Sequence, residues 1–276
     1  MSFAQLVIYD LASRSETVLL ATDRHIEAPN WHPHDGTLIV NAEGGLFRVP
    51  LDAPDLHPIE VAGLSDLNND HGISPDGRML VVSNSPGRGT SMIHALPIDG
   101  GVPHRLTSQA PSWWHGWAPD GQRHAYTAVR AGQFCIATCA LTGEDERILI
   151  TGSHHYDGPD YTPDGEWIWF NSDRAGHSNL WRMRPDGGDV NQMTDDETVD
   201  WFPHPAPDGR HVLYLAYPPG TTGHPFGRDV ALRLMPSEGG AHETLTEFYG
   251  GQGTLNVPCW APDSTRFAYI RYAKGD

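Results

Sequence analysis

Apolar residues in this chain come in short runs that alternate with polar ones, and glycine, proline and acidic residues break the runs. The segment after Pro163, DGEWIWFNSDRAGHSNLWRMRPDGGDVNQMT, predicts strands over 167–171, 179–184 and 189–194, joined by a polar hairpin and a Gly-Gly turn. A fourth strand precedes the proline. The same Pro-Asp-Gly-like turn recurs with its proline at Pro33, Pro75, Pro119, Pro163, Pro207 and Pro262, at intervals of 42, 44, 44, 44 and 55 residues. A period in the forties belongs to a propeller blade or a helical solenoid. No stretch keeps a 3.6-residue apolar period, so the pattern predicts an all-β, six-bladed β-propeller with four antiparallel strands per blade. Residues 1–276 read as one domain. The sixth unit, VPCWAPDSTRFAYIRYAKGD, holds only two strands, and the N-terminal FAQLVIYD and SETVLLA supply the missing two. The ring is expected to close through both chain ends.

The six units can be aligned with one another on the turn proline. Two positions before it stand Trp31, Ile73, Trp117, Tyr161, Pro205 and Trp260, read as packing between blades. Four positions before it, Pro29, Pro159, Pro203 and Pro258 keep a proline, whereas His71 and His115 replace it and are followed by Gly72 and Gly116. Three before it are also Asn30, Asp160, His204 and Cys259. Six before it are Glu27, Asn69, Trp113, Asp157, Trp201 and Asn256. A blade's first strand lies nearest the propeller axis, so these varied rungs are expected to ring one mouth of the central funnel.

Asn69, Asp70, Trp113, Trp114, Asp157, Asp160, Trp201 and Asn256 are therefore the candidate ligand-binding residues, aromatic faces beside amides and carboxylates suiting a sugar. His71 and His115 are the candidate catalytic bases. His71, His115 and His204, with Gln252 from the loop YGGQGTLN, form a candidate set for one divalent metal (Mn, Zn, Fe or Ca), with hydrogen bonding to loop backbone as the alternative and no cofactor at all in that case. His154-His155 precede the fourth turn and read as loop residues near the same mouth. The insertion YPPGTTGHPFGRD lengthens the fifth unit and reads as a lid, a contact surface or a plain loop.

Charge narrows the partners. The net charge is −17, and 18 scattered Lys and Arg cannot build the basic groove that phosphate backbones require, so nucleic acid and anionic membranes are not expected partners. The apolar runs are too short to span a bilayer. Cys135, Cys139 and Cys259 are odd in number, and the first two lie about 13 Å apart along a strand, too far to bridge. With no basic, apolar leader at the N-terminus, the expected compartment is the cytoplasm, or the periplasm if the chain is a trimmed mature form.

ISPDGRMLVVSNS, YTPDGEWIWFNSDRAGHSNLWRM and PAPDGRHVLYLAY resemble the repeats of TolB-type propellers, which occur in the C-terminal domain of the periplasmic protein TolB and in several enzyme families. The resemblance spans all six units and implies the fold. It is silent on activity, because propellers host many chemistries. WFPHPAPDG with His204, and Gln252, are distantly similar to oligogalacturonate lyases, whose funnel holds a His- and Gln-liganded metal. That resemblance implies a metal-assisted lyase, with Arg88 or Arg130 meeting a uronate carboxylate. Two functions are thus expected: a carbohydrate-active propeller binding a small polar ligand or oligosaccharide, or a non-catalytic propeller binding a protein or peptide.

Overall fold

In the computed structural model, which describes residues 3–274, six antiparallel sheets are arranged as the blades of a propeller. Blade 1 consists of Ile26–Trp31, Thr37–Ala42, Gly45–Pro50 and His57–Ile59, and blade 2 of Leu67–Ile73, Met79–Asn84, Met92–Pro97 and His104–Arg105. Blade 3 runs from Ser112–Trp117 out to Arg147–Thr151, blade 4 from Tyr156–Tyr161 to Asn191–Gln192, and blade 5 from Val199–Pro205 to Glu243–Gly250. Among the described residues there is no α-helix, and none long and apolar enough to cross a membrane.

The repeated turn is built by one device used six times. The aspartates Asp35, Asp76, Asp120, Asp164, Asp208 and Asp263 each accept the backbone N–H two residues ahead, at 2.9–3.1 Å. The residue after each aspartate turns into the left-handed region, at φ 68–73° for five glycines and 60° for Ser264. Glycine meets that requirement without a Cβ penalty, and an Asx turn supplies the local hydrogen bond. This is why the turn is legible in the sequence.

Blade 6 closes the ring. Ala4–Asp10 pairs residue for residue with Arg266–Tyr272 on one side and with Ser15–Thr22 on the other. Tyr9 stacks on Phe267 at 5.1 Å, and both belong to the apolar cluster shared with blade 5. Leu6, Ala268 and Ile270 belong to the one shared with blade 1. The innermost position of this blade is irregular: Trp260 makes a single bridge to Phe267, and Thr254 and Cys259 accept N–H groups from Ile270 and Ala268. All three cysteines are buried and unpaired.

Each of the five regular inner strands carries a β-bulge before its turn proline, three to six residues ahead of it in blades 1, 3, 4 and 5 and four to eight ahead in blade 2. In blades 1, 4 and 5 that stretch holds Pro29, Pro159 or Pro203, which has no N–H for the ladder, and the preceding Ala28, Gly158 or Phe202 turns to φ 53–60°. In blades 2 and 3 the His-Gly pair replaces the proline and no left-handed residue occurs there.

The glycines of those pairs are explained by the neighbouring blade. A Cβ on Gly72 would lie 1.8 Å from Cη2 of Trp114, which is wholly buried, and one on Gly116 would meet the Pro159 carbonyl at 2.7 Å.

Two outcomes follow. A chain without residues 1–22 leaves Arg266–Tyr272 unpaired and two apolar clusters open to water, so it is expected to lose cooperative thermal unfolding by circular dichroism; an unchanged Tm would refute closure as the stabilising feature. Gly72→Ala drives a methyl into a fixed indole and is expected to cost about 1–3 kcal/mol in urea unfolding.

Candidate functional site in the axial mouth

The inner strands deliver their polar residues to one end of the central tunnel, where a cavity of about 450 Å³ opens. Glu27 comes from blade 1, Asn69 and Asp70 from blade 2, Trp113 and His115 from blade 3, Asp157 from blade 4 and Phe202 from blade 5. Gln252 and Asn256 come from the irregular inner segment of blade 6. Thr127 and Phe134 fill the wall behind Trp113, whose ring lies near-parallel to Phe134 at 6.4 Å.

The electrostatic centre is a buried ion pair between blades 3 and 4. His115 Nε2 stands 3.0 Å from Asp157 Oδ1, which also accepts Thr127 Oγ1–H at 2.8 Å and the Gly158 N–H at 2.9 Å. Burial opposes both charges. The hydrogen bond and mutual attraction override it, holding Asp157 well below the usual carboxylate range and raising His115.

The other two carboxyls have no such cation. Burial, with Asp157's charge adding to it, lifts Asp70 to about 6 against the pull of His115, and its Oδ2 takes one hydrogen bond from Asn68. Burial lifts Glu27 to about 7, helped by Asp70 and opposed by the Asn69 amide at 3.3 Å.

Two further imidazoles face Asp157 Oδ2, His224 at 3.8 Å and His155 at 4.0 Å. His224 arrives on the insertion of blade 5. It is not a loose lid: His224 Nδ1 contacts Gln252 Oε1, and the Pro225 carbonyl accepts Tyr217 O–H at 3.2 Å and the Gln252 N–H at 3.3 Å. Burial lowers the pKa of His224, so it is neutral near pH 7.

Of the residues expected from the sequence, Asn69, Asp70, Trp113, His115, Asp157, Gln252 and Asn256 line this cavity. His71 does not. Its ring is buried with Nε2 facing the Ile39 carbonyl of blade 1 at 3.5 Å, and burial pushes it down to about 4, so it is neutral. His204 braces the tunnel deeper in, with Nδ1 3.0 Å from Asp160 Oδ2 and Nε2 3.3 Å from the Leu255 carbonyl. Asp160 lines the cavity at the far end, with the Trp31, Trp117 and Trp260 rung. Trp114 is core, and Trp201 lines a neighbouring groove.

The expected metal set is therefore not gathered: His71 and His204 are taken up elsewhere, and Gln252 is engaged with His224 and Asn69. Among the described residues no group of three or more His, Cys, Asp or Glu side chains is placed to hold a metal ion, and no step is routed through one.

His155, expected as a loop residue near this mouth, lines the cavity, and His224 joins it without having been singled out. The insertion was visible as a departure from the 44-residue period, and it contains a histidine.

Comparison with known proteins agrees with this architecture. The TolB beta propeller domain matches residues 110–223. An uncharacterized protein of Agrobacterium fabrum is 42% identical over 98% of this chain and 92% of its own length. A solved structure from Agrobacterium tumefaciens that carries a provisional TolB name superposes with a TM-score of 0.97 at 41% identity, covering 100% of both chains.

The chain belongs to the TolB β-propeller family. TolB of Francisella tularensis is 25% identical over 94% of this chain, and the chain spans 59% of that relative's length. An oligogalacturonate lyase solved with manganese shares the fold at a TM-score of 0.58 and 12% identity, covering 90% of this chain and 75% of its own.

The raised carboxyl of Glu27 makes stability pH-dependent with a defined sign. Its folded pKa, about 7, exceeds the ordinary 4.5, so its stabilising contribution is whole below pH 4.5 and is lost as pH rises through 7. Glu27→Gln is expected to match wild type near pH 4 and to exceed it by about 1–2 kcal/mol at pH 8 in urea unfolding.

Proposed function

We propose that this TolB-family propeller binds a small hydroxyl-rich ligand in its axial mouth, a neutral or amino-bearing sugar rather than a sugar acid. One observation carries the reading. The cavity is walled by Trp113, Phe134 and Phe202, set with the carboxyls of Glu27, Asp70 and Asp157 and the amides of Asn69, Gln252 and Asn256, and has no Lys or Arg in its lining. Its volume falls within the range of about 300–1,000 Å³ usual for small-molecule sites. Aromatic faces take the C–H face of a ring, while amides and carboxylates take its hydroxyls. A uronate would bring a second anion among buried carboxyls.

The same placements weigh against an elimination reaction. Arg130, one candidate partner for a uronate carboxylate, is committed to Glu146 at 2.6 Å and to Ser112 and the Pro111 carbonyl. Of the two bases expected from the sequence, His115 faces the cavity but is paired with Asp157, which raises its pKa, and His71 lies outside the cavity lining. A base would have to be unprotonated and within reach of the substrate. Binding thus accounts for the geometry better than the lyase chemistry of the manganese-bound neighbour.

The test is titration of the protein with glucosamine, glucose and glucuronate at pH 7, read by tryptophan fluorescence and calorimetry. Glucosamine or glucose is expected to bind and glucuronate to bind at least tenfold more weakly. Trp113→Ala is expected to weaken binding about tenfold, or 1.4 kcal/mol. Binding led by glucuronate would overturn the charge argument. Binding of none, with a protein recovered on the mouth face instead, would favour the protein-docking alternative.

A further inference from the structure

A second cavity lies beside the axial mouth. It is a groove of about 570 Å³ lined by residues of blades 4 and 5 and by the insertion, and it shares His155 and His224 with the axial cavity. Its other walls include Asp173, Ser178, Trp201 and Thr221.

We infer that the groove is a second subsite, continuous with the axial one, so that the ligand is a linear oligosaccharide of two or more units passing between His155 and His224. The inference rests on the axial cavity being a sugar site.

Three observations support it. First, the groove is a fixed feature: its wall is the insertion found on blade 5, anchored at Pro225 by Tyr217 and Gln252 and at Gly227, whose N–H donates to the Gly250 carbonyl at 2.8 Å. Second, the two shared imidazoles line both cavities and mark where they meet. Both reach toward Asp157 Oδ2 from the groove side, and Trp201 lies behind them, its ring centroid 4.4 Å from His224 and 5.5 Å from His155. Third, Trp201 lines the groove and gives it an aromatic wall, as Trp113 does in the axial cavity. The remaining polar groups are acceptors: the Asp173 carboxyl takes the His155 backbone N–H and keeps a second oxygen, and the Ser178 and Thr221 hydroxyls donate to the Asp200 and Pro218 carbonyls and keep lone pairs for a sugar hydroxyl.

The experiment compares glucosamine and glucose with their β-1,4-linked dimers and trimers on the full chain, by calorimetry, in wild type and in Thr222→Trp. Thr222 is an exposed residue of the groove lining, so an indole there fills the groove without touching the axial cavity. A shortened insertion lacking 219–223 serves as the second variant, and thermal unfolding confirms that both remain folded. The dimer is expected to bind wild type at least tenfold more tightly than the monomer. In Thr222→Trp the dimer should fall to the affinity of the monomer while the monomer is unchanged, and the shortened insertion should likewise erase the gain.

Monomer and dimer binding equally to wild type would overturn the second subsite and leave the axial site standing. A dimer gain that survives both variants would place the extra unit elsewhere and also overturn it. No binding of any of these sugars would remove both readings.

Discussion

Everything at the axis depends on the pairing of Ala4–Asp10 with Arg266–Tyr272. A blade presents apolar surface on both faces and needs a neighbour on each side. Closure by the two chain ends gives the last blade that second neighbour, and with it the first blade. It also fixes the distance between inner strands across the tunnel. Gly72 and Gly116 exist because adjacent inner strands come so close that one methyl would collide. The closed ring therefore sets the geometry that its most polar residues must accommodate.

That enclosure explains the electrostatics of the mouth. Glu27, Asp70 and Asp157 converge because their strands converge, and water is too scarce there to keep three carboxylates charged. The protein resolves this unevenly. Asp157 receives the imidazole of His115, a hydroxyl and an amide N–H, and stays ionised. Asp70 and Glu27 receive only amide donors and rise toward neutrality. Deeper in the tunnel His204 and Asp160 repeat the same kind of pairing, tying blade 5 to blade 4. Two histidine–aspartate contacts at two depths thus serve different ends, one facing an open cavity and one bracing the ring.

The fold was legible because its signals are local. An aspartate that bonds two residues ahead, followed by a left-handed residue that is glycine in five turns and Ser264 in the sixth, leaves nearly the same mark on the sequence six times. The ring closure was legible from the deficit of two strands at the C-terminus and their surplus at the N-terminus.

The site was legible only in part, and the inner-strand bulge is the reason. Asn69, Asp70, Trp113 and Asp157, five or six residues before their turn prolines, face the mouth, whereas Trp114 and Trp201 at the same rungs do not line it. The bulge then resets the two-residue alternation, so that His71 turns into the contact with blade 1 while His115, at the same rung, reaches the cavity. A period read from sequence carries no record of that shift. His224 was hidden for a different reason: its position depends on Gln252, 28 residues away along the chain, and on Tyr217 at the base of the insertion, which together pin it inward.

The insertion also bears on whether the propeller is a scaffold or a receptor. Its wall is tied down at Pro225 and Gln252 and turns a histidine toward a buried carboxylate, which supports the proposed reading of the mouth as a binding site. Phe202 sits at φ 54° in the bulge before Pro203, as Ala28 and Gly158 do before Pro29 and Pro159, and its buried ring reaches the edge of the mouth 5.2 Å from His224. The half-buried ring of Trp113 is the more open aromatic face there, set beside the carboxyls of Glu27, Asp70 and Asp157. That combination, rather than any backbone strain, is what supports the proposed sugar site.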